Sequence, residues 1–507
     1  MNDPRQMGNC FSVFFHPLSR ASSLRCVGLW ALVWALAFAA YSSFLHEVFR
    51  SSSLDMALHS QLLRNLAQGQ FMRTSFLLHS FAANHIWPGL YLLAPIHQWL
   101  GIHGLLALQC LVVASGALAA YELSRDITNS EAWGRAFGLA YLLQPTLSAG
   151  VLFDYHLELF SVPFALFALL GLRRHRLWFW PCMMLSWCFY EINAAVFFFL
   201  GVGLLFRPHR RRIGCLLAVS SLTYLAIVFF VLMPHFRGSL AVPHWERYAH
   251  LGNTPAGAIA TVLAHPFQTL ADGAAVKALG QLRYLFIALG CLSFFSLKHL
   301  LPAVPLLLAL VLSQCSMNSD VRFGYVAPAL PFLLLSAAHG AAALERRSDR
   351  RKRFLRTRGP YVLAACSVLL FAYFQIEEPL RSEPFRLRPN LAELRQARDL
   401  IPPAAGLSAD NHLGAHFADR DILLVTPATR YGSHAVEFVL TDLNETEFKD
   451  PHWWVSMRKL LAGGNFGPVF LSRDVLLLQR GIRNEALTEL ALNRMAEQTL
   501  LAQEKAR

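Results

Sequence analysis

A handful of short stretches carry the residues of this chain that could do chemistry. Asp55 opens 54-LDMALHSQLLRNLAQGQ-70, and Asn84 with His85 opens 84-NHIWPGLYLLAP-95. Asp154, His156 and Glu158 form 153-FDYHLEL-159, and Glu191 stands between two short apolar runs. A carboxylate among other acids and apolar walls has a raised pKa and suits general-base work. Carboxylates with histidine could instead hold a divalent cation. Arg247 and Tyr248 in 246-ERYAHLG-252, and Arg322 and Tyr325 in 322-RFGY-325, add planar guanidinium forks that fit phosphate oxygens. Simpler roles stay open. Asp55 and Asp154 could cap the helices that follow them. Glu191 could pair with an intramembrane base, His156 could sit in aromatic packing, and the arginines could pair with Glu246 and Asp320.

The body that must position these groups is apolar. Of 507 residues, 55% are apolar and 15% charged, where soluble domains carry about 25% charge. Mean hydropathy is +0.39. Residues 1–375 hold 14 acids against 29 lysines and arginines, whereas 376–507 hold 18 acids and 16 bases. The excess base lies between apolar runs, which is membrane topology rather than a nucleic-acid footprint. All nine cysteines fall before residue 376 with no CxxC pair, so no disulfide framework or metal spacing is evident.

Runs long enough for a bilayer occur at 27–45, 104–122, 133–151, 157–172, 213–233, 325–342 and 360–375. Shorter ones occur at 177–190, 192–206, 283–297 and 300–315, and 89–101 reads as re-entrant or interfacial. Eleven alternating spans with the N-terminus inside place 21 bases inside and 8 outside, the asymmetry expected of an inner-membrane protein. The first span could alternatively be a signal peptide ending near 36–43, although its apolar run is long for one. The domain reading is a cytoplasmic segment at 1–26, a polytopic domain at 27–375 with outer loops 46–88 and 234–282, and an outer-side domain at 376–507. In that domain, 391–400 and 484–506 read as helices, 405–409, 421–426 and 435–443 as strands, and 467–480 as a hairpin with 474–480 its return strand, a small α/β unit. His412 and His416 have helical metal spacing, but capping by Asp410 or Asn411 with exposed histidines is the favoured reading.

Acids are costly within a membrane and point to function there. Runs 177–190 and 192–206 are each too short to cross alone, so Glu191 at their shared tip should be sunk in a protein-lined cavity. Asp55, Asp154 and Glu191 should then share one outward-facing pocket.

The order of these stretches, together with 153-FDYHLELFSVPFALFAL-169, the YEIN turn at 190–193 and 401-IPPAAGLSADNHLGAHFADRDI-422, resembles the bacterial membrane-protein family known as domain of unknown function 2079. The resemblance covers roughly residues 40–480. That family in turn resembles the GT-C glycosyltransferases, which take sugar from a polyprenyl phosphate and use an Asp or Glu of the first outer loop. Asp55 matches that first-loop acid. Asp154, His156 and Glu158 match an Asp-aromatic-His-Pro-Glu stretch in which Leu157 stands for the proline. Glu191 matches the acid of a Lys-Glu-Asp turn, with Tyr190 and Ile192 in place of its neighbours. His85 matches a family histidine, preceded here by Asn84 rather than an acid.

The resemblance implies a mainly α polytopic membrane protein of GT-C type, with about eleven spans and a small outer α/β domain. It implies a glycosyltransferase acting on a polyprenyl-phosphate-linked sugar within the lipid bilayer, with no nucleic acid and no obligate protein partner evident. Asp55, Asp154, His156 and Glu191 would be catalytic. His85, Glu158, Arg247, Tyr248, Arg322 and Tyr325 would bind substrate, with a divalent cation as a candidate cofactor. A flippase of lipid-linked envelope precursors and a non-enzymatic envelope assembly protein are the alternatives.

Overall fold

The structure is a computed structural model that describes residues 19–239, 244–346, 349–377, 387–445 and 449–505. Most of the segment expected at 1–26, and the side chains at 347–356 of the basic run 346–358, lie outside the described residues. The chain forms two compact units. The first comprises Met1–Ala40, Ala82–Gly89 and Leu106–Pro384, and the second Tyr41–Phe81, Leu90–Leu105 and Phe385–Arg507.

The first unit is helical because its sequence is apolar over lengths that must satisfy their own backbone hydrogen bonds. Among the described residues six stretches are long and apolar enough to cross a membrane: Arg20–Glu47 (α1), Leu90–Thr128 (α2), Glu131–Phe153, Pro208–Arg237, Ser316–Arg346 and Thr357–Phe374. Glu131–Phe153 comprises α3 (Glu131–Leu142) and α4 (Pro145–Phe153). Between the third and fourth of these stretches lie α5 (Leu157–Arg173), α6 (Phe179–Phe189) and α7 (Ile192–Leu205). Further along come α8 (Arg211–Ile227), α9 (Val304–Leu312), α10 (Leu330–Arg346) and α11 (Asp349–Glu377).

Six of the eleven expected spans coincide with these long stretches, and α6, α7 and Leu301–Leu312 are shorter apolar helices. Of the other two, the expected span 157–172 is helix α5, and 283–297 is not a single helix. Helix α5 has 17 residues. The expected span 283–297 breaks because Gly290 and Cys291 turn left-handed, at φ 58° and 56°, and the chain continues in 3-10 turns. The segment expected to be re-entrant at 89–101 is the start of α2, which bends where Gly101 takes φ 60°, ψ −156°, a conformation only glycine adopts readily.

Acids at one end of the first unit are matched by bases. Glu122 of α2 pairs with Arg20 at 3.0 Å and also with Arg174, and Asp126 binds Arg174 Nε at 2.6 Å. Trp133 Nε1 donates to Glu345 at 2.7 Å, tying α3 to α10. Leu29, Val33 and Leu36 of α1, and Leu216 and Val219 of α8, are exposed as lipid-facing side chains should be.

The second unit contains a five-stranded mixed sheet of order β2-β1-β5-β7-β6: β1 Leu407–Ala409, β2 Leu423–Val425, β5 Phe438–Asp442, β6 Phe466–Ser472 and β7 Val475–Arg480. Strands β3 (Arg430–Tyr431) and β4 (His434–Ala435) form a separate ladder. Strands β1, β2 and β5 are parallel, and β7 is antiparallel to both β5 and β6. Alternation sends Leu407, Leu423, Leu440 and Leu477 to one face and Leu424, Val439, Leu476 and Leu478 to the other. Helices α13 (Pro451–Ala462) and α14 (Glu485–Lys505) cover the second face through Trp453, Trp454, Met457, Ala491 and Met495. The first face is covered by α12 (Leu391–Asp399) and by Val48, Phe49 and Ala57. The loop after α1 therefore belongs to the core of the C-terminal domain.

Candidate functional site

Helices α6 and α7 have 11 and 14 residues, so at ~1.5 Å per residue neither reaches across a core of about 30 Å. Glu191 occupies the N-cap position of α7 but makes no capping bond, and it is 1% exposed. Instead, His85 Nδ1 donates to Glu191 Oε1 at 2.8 Å. Among the described residues, the other oxygen of Glu191 has no hydrogen-bond partner. The segment carrying His85 reaches this tip because Gly89 N donates to the Cys188 carbonyl at 3.0 Å. A Cβ on Gly89 would lie 2.6 Å from the Phe189 ring, so glycine permits the approach. His85 stacks on Trp87 at 4.7 Å. Burial opposes protonation of His85, but the Glu191 charge, its hydrogen bond and the Glu158 charge outweigh burial and the opposing Arg247, so the pKa is raised.

Glu158 lies in the first turn of α5. It passes so close to Gly324 that a Cβ there would sit 2.2 Å from its Cγ. His156 Nδ1 is 3.6 Å from Glu158 Oε1, and its ring stacks on Phe153. Gln109 of α2 clamps this turn, donating to the Asp154 carbonyl at 2.9 Å and accepting from His156 N at 2.7 Å. The clamp holds Asp154 at φ 153°, a conformation that costs a non-glycine residue about 1–3 kcal/mol. Asp154 does not cap α5, whose N-cap position is taken by His156.

Arg247 projects from a 3-10 turn, Trp245–Leu251. Its Nη1 donates to Asn318 Oδ1 at 3.0 Å, and its guanidinium carbon lies 5.9 Å from the Tyr325 ring centroid. Among the described residues no carboxylate pairs with it. Tyr248 bonds to Ser313 and Asn318, and burial pushes its hydroxyl pKa up. Tyr190 lies within electrostatic reach of Glu158, Glu191, Tyr325 and Tyr248. Arg322 is engaged by Asp320, to which its Nε donates at 2.9 and 3.0 Å, so of its two sequence readings the structure shows the pairing.

His85, His156, Glu158, Glu191, Arg247, Tyr248 and Tyr325 are thus one polar cluster of the first unit, joined by Tyr190, Trp87, Ser313 and Asn318. Tyr190 had a signal in the sequence, its place at the tip of two short apolar runs. Ser313 and Asn318 had none.

Asp55 belongs to the second unit. It is half-buried in a π-helical turn, Ser53–Ala57, that runs into the helix Leu58–Ala67. The turn is capped by Ser52, which accepts from Leu54 N at 3.1 Å, so capping is not the work of Asp55. Asn411 holds this turn. Its Oδ1 accepts from Ser52 Oγ at 3.2 Å and Leu54 N at 3.3 Å, and its carbonyl accepts from Ser53 Oγ at 2.7 Å.

The exposed histidines expected beside Asn411 are half-buried instead. His416 Nε2 donates to the His46 carbonyl at 2.8 Å and stacks on Phe49, while His412 lies 3.7 Å from Glu445. Nor does Asp410 cap by its side chain, because its carboxylate takes Thr426, Thr441 and Lys449 instead. Among the described residues no three His, Cys, Asp or Glu side chains group to hold a metal ion.

The family described as predicted membrane protein (DUF2079) matches residues 45–466. No curated protein matches the chain. Among solved structures, ArnT from Cupriavidus metallidurans bound to undecaprenyl phosphate superposes with a TM-score of 0.50 at 15% identity, covering 88% of this chain and 97% of that one. The apo state of the same protein gives 0.47 at 14% identity, with 88% and 98% covered. At such identity the likeness to the first is one of fold.

Proposed function

We propose that this chain, which belongs to the DUF2079 family of predicted membrane proteins, is a GT-C-like glycosyltransferase that takes sugar from a polyprenyl-phosphate carrier at the outer face of the cytoplasmic membrane. The observation that carries the reading is Arg247, a half-buried cation with no carboxylate partner among the described residues, within electrostatic reach of His85 beside two carboxylates. Such a cation is suited to a phosphate that gains charge as it leaves. The ArnT fold, seen there with undecaprenyl phosphate bound, supports a lipid-linked donor.

In this reading an acceptor hydroxyl attacks the anomeric carbon of the sugar and the bond from that carbon to the phosphate oxygen breaks. The hydroxyl proton passes to Asp55, and polyprenyl phosphate leaves with its charge answered by Arg247. His85, His156, Glu158 and Glu191 shape the polar cluster beside the turn that carries Asp154, and Tyr248 and Tyr325 line the phosphate side, while Arg322 is held by Asp320. The N-terminus lies inside and the domain from 376 onward lies outside.

Proteoliposomes supplied with radiolabelled polyprenyl-phosphate sugars test this. Asp55→Asn and Arg247→Gln should each lower sugar transfer at least ~100-fold while the purified protein stays monodisperse. Transfer at the wild-type rate by Asp55→Asn removes Asp55 from the reaction. Movement of the sugar lipid between leaflets without covalent change makes the protein a flippase.

A further inference from the structure

The other end of the first unit holds a second group of polar side chains that the transferase reading does not use. Helix α5 separates the two ends by about 22 Å, at ~1.5 Å per residue from Glu158 to Arg173. Here His299 and His339 lie face to face, with ring centroids 3.7 Å apart and planes 8° apart. Ser296 Oγ bonds to His299 Nδ1 at 2.8 Å, which fixes the ring and leaves Nε2 as its other polar atom. Burial, then the charges of Lys298, Arg207 and Arg173, hold the His299 pKa down to about 4. Arg173 is turned to the Asp126 carbonyl. Among the described residues Arg207 and Lys298 have no carboxylate partner.

Arg207 and Lys298 act on His299 and are both exposed, so the imidazole pair lies beside a positive surface that attracts anions. The same turns carry large exposed apolar side chains: Phe206 is 82% exposed, Leu297 51% and Leu301 60%. Topology anchoring alone requires basic residues but no fixed imidazole pair beside them. Positive charge beside exposed apolar surface describes the receptor of an amphiphile with an anionic head.

We propose that Arg207, Lys298 and the stacked His299–His339 pair hold the phosphate of an anionic phospholipid whose acyl chains lie along Phe206, Leu297 and Leu301. The lipid is a structural ligand, and its site stands whether or not the protein transfers sugar.

The full chain, purified in detergent, is titrated with dioleoyl phosphatidylglycerol, dioleoyl phosphatidylcholine and inorganic phosphate, and bound adducts are counted by native mass spectrometry. Phosphatidylglycerol should be retained in preference to phosphatidylcholine, and inorganic phosphate should compete weakly. Arg207→Gln with Lys298→Gln should weaken phosphatidylglycerol binding roughly 25-fold, about fivefold for each cation. Both residues are exposed, so the fold should tolerate the change. Arg211→Gln with Arg212→Gln removes two exposed bases of the neighbouring turn and should leave binding within about twofold of wild type. Equal losses in the two double variants would reduce the site to general surface charge and overturn the proposal. Equal retention of the two lipids would overturn it as well, and displacement by inorganic phosphate at similar concentration would make it a free-anion site.

Discussion

Replacing His85 by alanine strips the imidazole from a carboxylate that is 1% exposed. Breaking a buried ion pair from one side costs about 3–5 kcal/mol, because the remaining charge stays buried. The side chain of His85 is 27% exposed against 2% for Glu191, which places the expected cost near the lower figure, about 3 kcal/mol. Glu191→Gln removes the charge but keeps the volume and an acceptor, and should cost about 1–3 kcal/mol. The double variant should fall short of the sum by about 1–3 kcal/mol, the coupling expected of groups in contact. Unfolding by sodium dodecyl sulfate in mixed micelles, followed by tryptophan fluorescence, measures all three. The pH dependence carries a definite sign. The folded pKa of His85 is raised above 6.5, so the folded state holds the proton more tightly than the unfolded chain. The stabilisation is therefore complete below about pH 6.5 and is lost as pH rises through the raised value. The coupling should be larger at about pH 6 than at about pH 9. A cost for His85→Ala under ~0.5 kcal/mol, or a coupling that grows with pH, refutes the pairing as a stabilising interaction.

Gly324→Ala drives a methyl group to within 2.2 Å of Glu158 Cγ. It should cost about 1–3 kcal/mol by overpacking and shift the pH dependence of the His85–Glu191 coupling, since Glu158 acts on His85. Unchanged unfolding and an unchanged pH profile would show that Glu158 moves aside freely. Asn411→Ala removes the acceptor of Ser52 Oγ and Leu54 N. It should cost about 1–3 kcal/mol and speed proteolytic cleavage within 50–57, a readout that limited trypsin digestion provides at Arg50.

The membrane body was legible in the sequence because its signal is length and hydropathy, and six expected spans coincide with helices. The count of eleven overreached where backbone rather than composition decides. Residues 283–297 read as apolar, but two successive left-handed residues break them, and nothing in side-chain hydropathy marks a cysteine at φ 56°. The five strands of the sheet were legible from alternation and turn residues. Helix Pro451–Ala462 was missed because its tryptophans and basic residues give no strong period, although Asp450 before Pro451 is an N-cap signal that reading for caps would have caught. Glu191 could be singled out from the two short helices around it. His85 was singled out too, as a candidate substrate-binding residue, but its pairing with Glu191 was not legible, because 106 residues separate the two.

The turn bearing Asp55 is fastened to Asn411, 359 positions downstream of Ser52. During synthesis the segment around Val48 and Phe49 emerges long before the sheet that buries it. Until the last strands arrive, that greasy stretch must wait uncovered, and the acid nearby cannot adopt its final pose. A truncation that deletes the final sheet should therefore leave the first loop without its packing surface, without touching a single residue of it.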